Sequence, residues 1–250
     1  MNPHKLTFQV YVRTLKFFLL FIVVFLSAEI SFPKGPTGGR PGIVVDERLA
    51  ALRRTPQLNG ELVRRLGRGR RVAIRGSKTT PDGVVFLLVN VTSRTHGWIQ
   101  REAVVSNSRS GDDQRLLDLI KASNGFDRIV RARIFLNHFP RSPLRPAVLL
   151  ILGNTAQENA AALSREAERR LNRTAGANQT TLQPPEFTYF LNFSGLDRYN
   201  RQRVTFIFHT PTKRLYYDGA AWRELLRRYP NTPEAVEARK RVAELTQLNQ

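Results

Sequence analysis

Between Ala51 and Val105 the chain never stays apolar for long. Short greasy runs (Leu62, Val63 and Leu66; Val72 to Ile74; Val84 to Val89; Trp98 and Ile99) are separated by Gly, Pro, Asn and Arg clusters. Runs this brief supply a strand but not several turns of helix, so the spacing predicts a small all-β barrel. Val72 and Ile74 flank Ala73 with period two, which places both on one face of a pleated strand. Gly67 and Gly69 bracket Arg68 where a tight turn needs backbone in the left-handed region.

Three pieces of this stretch resemble the bacterial SH3-like family, the SH3b modules of exported proteins. ALRRTP (Ala51 to Pro56) is similar to the family's opening segment. LVRRLGRGRRVAI (Leu62 to Ile74) resembles its strand, Gly-containing turn and second strand. HGWIQ (His96 to Gln100) resembles its closing Gly-Trp strand. Where the family carries paired aromatics in its middle strand, this chain has Val85 and Phe86. The resemblance implies an SH3-like barrel over residues 44–106 that contacts cell wall or a partner protein.

From Asp112 the apolar period changes to that of helices. Asp112 or Asp113 is a candidate cap for a helix with the face Leu116, Leu117, Leu119, Ile120, ended by Gly125. A second helix follows through Ile129, Ala132, Phe135 and Phe139, stopped by Pro140, and Ser142-Pro143 opens a third. The layout recurs near the end of the chain. Arg133, Leu136, Pro140 and Pro143 match Arg223, Leu226, Pro230 and Pro233, and an aromatic (Phe139, Tyr229) precedes each first proline. Two copies of helix, aromatic-Pro-x-Ser/Thr-Pro, helix predict αα-hairpins. HFPRSP and RYPNTP resemble the turns of tetratricopeptide-like repeats found in outer-membrane assembly lipoproteins, which implies a protein-binding groove. Between the copies, residues 174–217 are irregular: a polar loop from Thr174 to Gln183, then a β-hairpin through Val204 to Tyr217 as the preferred reading, with a helix through Phe187 to Leu191 also expected.

The first residues are basic (Lys5, Arg13, Lys16) and lead into FFLLFIVVFL, Phe17 to Leu26. A basic start before an apolar run predicts a signal peptide or an uncleaved signal anchor over 1–28. Everything after it would then be periplasmic or extracytoplasmic, tethered to the inner membrane by residues 15–28 in the anchored case. Residues 29–43 are rich in Pro and Gly and are expected as a linker, and 107–111 as a hinge before a helical domain over 112–250. The fold class that follows is multidomain: a small all-β SH3-like barrel plus a mainly α-helical, TPR-like αα-hairpin domain.

Chemistry is poorly provided for. With no cysteine, thiol nucleophiles and cysteine-held metal clusters are excluded. The four histidines (His4, His96, His138, His209) have no zinc-site spacing, so no metal and no cofactor are expected. Glu166 and Glu168 stand two apart among arginines, a solvated face rather than a hydrolytic pair. The chain reads as non-catalytic.

What it does have is charge, +20 overall and mostly arginine. Such a balance favours anionic partners. The densest cluster is Arg64, Arg65, Arg68, Arg70 and Arg71, candidate ligand-binding residues because guanidinium groups pair with carboxylate or phosphate through parallel hydrogen bonds. Trp98 joins them as an aromatic that either fills the barrel core, its expected place, or stacks on a ligand. The expected partners are an envelope protein or peptidoglycan, with anionic lipid or lipopolysaccharide as a further option; outside the cytoplasm nucleic acid is disfavoured.

Overall fold

In the computed structural model, residues 38–177, 186–191 and 195–248 are described. The expected leader (1–28) and the start of the linker lie outside them. Among the described residues no helix is long and apolar enough to cross a membrane.

The first half is one antiparallel sheet. Its strands are β1 (Arg40–Val44), β2 (Ala51–Arg53), β3 (Leu62–Arg65), β4 (Arg71–Thr79), β5 (Val85–Asn90), β6 (His96–Gln100) and β7 (Val104–Val105). They lie in the order β3-β2-β6-β5-β4-β1-β7. Alternation sends Val72, Ile74, Leu87, Val89 and Ile99 to one face, where they pack with Val44, Leu52 and Leu66. Two expectations need correction. The sheet is not closed into a barrel by hydrogen bonds, because β7 is two residues long before Ser106 turns the chain into the helices. The linker also ends earlier than its composition suggests, since Arg40 to Ile43 pair with β4. Gly42 suits that inner strand: a Cβ there would lie 2.9 Å from Val104 Cγ1 and 3.0 Å from Ile74 Cδ1.

Helices α1 (Asp112–Lys121), α2 (Gly125–His138) and α3 (Arg145–Ala177) follow. Then come α4 (Glu186–Leu191), α5 (Leu196–Asn200), a hairpin of β8 (Phe206–His209) and β9 (Arg214–Tyr217), and finally α6 (Ala220–Arg228) and α7 (Pro233–Leu248). Ile43 and Val105 of the sheet, with Val45 just after β1, belong to the same buried cluster as Leu116, Ile120, Phe135 and Leu149 of the helices. The stretch read as a hinge is bonded from both sides. Ser106 N–H donates to Asp112 Oδ2 at 2.7 Å, Ser106 Oγ donates to the Pro41 carbonyl at 2.7 Å, and Arg109 Nη2 donates to the Val104 carbonyl at 2.8 Å. Asp112 therefore holds the preceding loop instead of capping its own helix, whose N-cap is Gly111. Gly125, expected to end α1, opens α2.

The ninety-residue offset seen in the sequence is repeated in the hydrogen bonds of the two proline turns. Phe139 N–H donates to the Phe135 carbonyl and Tyr229 N–H to the Leu225 carbonyl, both at 2.8 Å. Ser142 N–H then donates to Phe139 at 3.4 Å, and Thr232 N–H to Tyr229 at 3.3 Å. Buried Arg145 ties the copies together, its Nη1 donating to the Leu136 carbonyl at 2.7 Å and its Nε to Tyr229 Oη at 3.0 Å. The irregular middle contains both elements that the sequence offers, a helix at 186–191 and a hairpin at 206–217. Part of the polar loop expected from Thr174 belongs to α3, which runs to Ala177; residues 178–183 of it lie outside the described residues. α3 also supplies the outer edge of β9 with acceptors, as Leu215 N–H bonds Ser164 Oγ at 2.8 Å and Tyr217 N–H bonds Gln157 Oε1 at 3.0 Å.

The second hairpin docks on α3 through Trp222, whose indole lies over Gly153 and donates to Asn154 Oδ1 at 3.1 Å. A Cβ on Gly153 would come within 2.2 Å of the indole nitrogen. Alanine is the better helix former by about 1 kcal/mol, but here it has no room. Gly153→Ala is expected to destabilise the fold by about 1–3 kcal/mol, read as a lower urea midpoint. A gain in stability would show that Trp222 does not seat there.

Candidate functional site

The turn from Leu66 to Arg71 sorts the five arginines into two kinds. Gly69 adopts the left-handed backbone (φ +82°) that the spacing anticipates, and Gly67 does not. Gly69 N–H donates to the Val44 carbonyl at 2.8 Å and Val44 N–H to Arg70 at 2.9 Å, which pins the turn against β1. That leaves Arg68 pointing at the helices. Its Nε donates to Glu47 Oε2 at 2.8 Å, Nη2 reaches the other oxygen of the same carboxylate, and Nη1 lies 2.9 Å from Asp127 Oδ1 at the start of α2. The Arg68 side chain is only 11% exposed. Burial opposes its charge, but the hydrogen bonds that it donates to Glu47 and Asp127 prevail and raise its pKa. The same bonds hold both carboxyls below their ordinary range. Nearby, buried Arg131 donates to the Val45 carbonyl at 3.3 Å and to Ser123 Oγ at 2.8 Å. Arg68 is thus occupied inside the molecule, unlike the rest of the candidate ligand-binding set.

Arg64, Arg65, Arg70 and Arg71 behave differently. All four are exposed, and no ion pair holds any of them among the described residues. Arg64 lies opposite Leu52 and Arg65 opposite Ala51 on β3, while Arg71 opens β4. Trp98 also departs from its expected place. Ile99 takes the core position, so the neighbouring Trp98 turns outward, half-buried and cross-strand from Leu88 on one side and Arg53 on the other. Gly97 beside it permits the close crossing of β2, because a Cβ would meet the Arg53 carbonyl at 2.6 Å.

Two open cavities flank this half of the molecule. One, about 510 Å³, lies between the loop at 55–59 and the β4–β5 turn, with Phe86 among its lining residues. The other, about 610 Å³, lies between 107–111 and the first proline turn. Neither holds a histidine or a pair of carboxylates. Among the described residues no three His, Asp or Glu are grouped to hold a metal. Glu166 accepts from Arg169 at 2.6 Å and from Arg170 at 3.1 Å, which lowers its pKa, the opposite of what a general acid requires. His138, at the end of α2, is half-buried with Nε2 unpartnered, and burial, with the Arg71 cation adding to it, pushes its pKa below 6.5. The partners of Arg68 were not legible in the sequence, since Glu47 and Asp127 are 21 and 59 positions away from it.

Arg68→Met is expected to cost about 1–2 kcal/mol in urea unfolding, since solvent partly screens Glu47 and Asp127. Alanine at Arg64, Arg65, Arg70 or Arg71 should stay within about 0.5 kcal/mol of the parent. Equal costs at all five sites would refute the division. Stability should also fall with acid in two stages. His138 has a folded pKa below its ordinary 6.5, so the unfolded chain takes up the proton first and stability drops as pH falls past that value. Glu47 and Asp127 contribute above their ordinary 4.5 and 3.8, and their share is lost as pH falls through the lowered folded values. His138→Phe should remove the first stage and leave the second, measured as urea midpoint against pH. No protein-family model, curated protein or solved structure matches the chain.

Proposed function

We propose that the chain is a non-catalytic, exported binding and scaffold protein of the cell envelope. The observation that carries this reading is the group of four exposed arginines, Arg64, Arg65, Arg70 and Arg71, left without ion pairs among the described residues while Arg68 beside them is fully engaged. An unpaired guanidinium cluster on a rigid sheet attracts carboxylates and phosphates at no cost in ordering the backbone. The basic start and apolar run of residues 1–28 support export, with a tether to the inner membrane through residues 15–28. The three resembling segments support reading the seven-stranded sheet as an SH3-like (SH3b) module that contacts peptidoglycan or an envelope protein. The matched proline turns support reading the helices as tetratricopeptide-like hairpins that bind protein. The pairing of Glu166 with arginines supports the absence of hydrolytic chemistry.

The test is cosedimentation of the purified chain with peptidoglycan sacculi across a salt series. Retention that weakens with salt is expected, together with its loss in a chain carrying glutamate at Arg64, Arg65, Arg70 and Arg71. Retention unchanged by those substitutions, or recovery of the native chain from the cytosol unattached to membrane, would overturn the proposal.

A further inference from the structure

Two of the unpaired arginines stand on a strand that is itself only half paired. β3 ends the strand order and bonds to β2 alone. Leu66 N–H donates to the Ala50 carbonyl at 2.9 Å. Counting along the ladder, the bonded pairs are Ala50–Leu66 and Leu52–Arg64, so the N–H and C=O of Arg65 face away from β2. No backbone group meets them on that side among the described residues. Every residue of β3 is exposed, Leu62 by 46% and Val63 by 38%, and Leu58 in the preceding loop by 52%.

Charges and a bulge are ordinary ways of keeping a sheet edge from pairing, and β3 has both, the register shifting between Leu52 and Arg53. That accounts for the arginines. It does not account for three large apolar side chains left in water within six residues. Pairing with a second copy is disfavoured in the registers centred on Arg64 or Arg65, which set arginine against arginine. Consecutive strand residues project to opposite faces, so a flat surface engages Arg64 or Arg65 but not both, whereas a strand added at the edge passes beside both.

We propose that the β3 edge receives an extended segment of a partner protein as an additional strand, with two adjacent carboxylates opposite Arg64 and Arg65 and apolar residues opposite Leu62 and Val63. The proposal rests on the reading of the chain as a binding protein and names its partner's chemistry. Main-chain hydrogen bonds would give affinity, and the alternating side chains specificity.

The probe is a fluorescent peptide with the core Glu-Glu-Val-Val, titrated by anisotropy into the full chain. Binding is expected to weaken with salt and to fall about tenfold in Arg64→Glu with Arg65→Glu. It should survive Arg64→Lys with Arg65→Lys, which keeps charge, and vanish when alternate peptide amides are N-methylated. Amide exchange at Arg65 should slow on binding while that at Arg64 stays as it was. A methylated peptide that binds equally well would mean side-chain attraction alone and would overturn strand pairing. Failure of every peptide with sacculi still retained would overturn this inference and spare the binding reading. Failure of both would sink the two together.

Discussion

A guanidinium buried between two carboxylates is the joint on which this molecule turns. Arg68 leaves the sheet and meets Glu47 from the segment after β1 and Asp127 from α2, its own side chain mostly withdrawn from water. Burying such a charge is expensive unless it is paired and hydrogen-bonded. The chain meets that condition from both sides. With the joint formed, Ile43, Val45 and Val105 enter the helical core, so sheet and helices share apolar interior.

The same arithmetic explains why a binding surface is left over. Cations outnumber anions two to one, 40 against 20. Several carboxylates are spent on joints: Asp46 on Arg48, Asp112 on Arg109 and Arg115, Glu224 on Arg145 and Arg228. Around the β3 rim Glu61 is engaged by Arg54. Two of the surplus guanidinium groups, Arg64 and Arg65, stand on an unfinished sheet edge beside exposed apolar side chains. Structure and recognition thus divide one residue type between them by access to acid.

The helical half solves a different problem. Two short hairpins would bury little apolar surface alone, and α3, 33 residues long, serves as the surface on which the second copy docks. Gly153 makes room for Trp222, and Ser164 and Gln157 satisfy the edge of the inserted β9. The insertion therefore fills the space between the copies without an open strand edge on that side.

Local chemistry settled much of this in advance. Alternation at Val72 to Ile74 set the inner face of β4, and the proline turns at Pro140 and Pro230 set two matched hairpins, because period and turn residues act over a few positions. The arginine cluster was visible for the same reason. Which of its members would be free was not, since the choice depends on Glu47 and Asp127, brought in by long-range folding. Trp98 shows the limit in another way: its strand was legible, but its face was decided by Ile99 beside it taking the core. Barrel closure likewise lay outside local pattern. It depends on whether the two edge strands, β3 and β7, pair with each other, and among the described residues they do not.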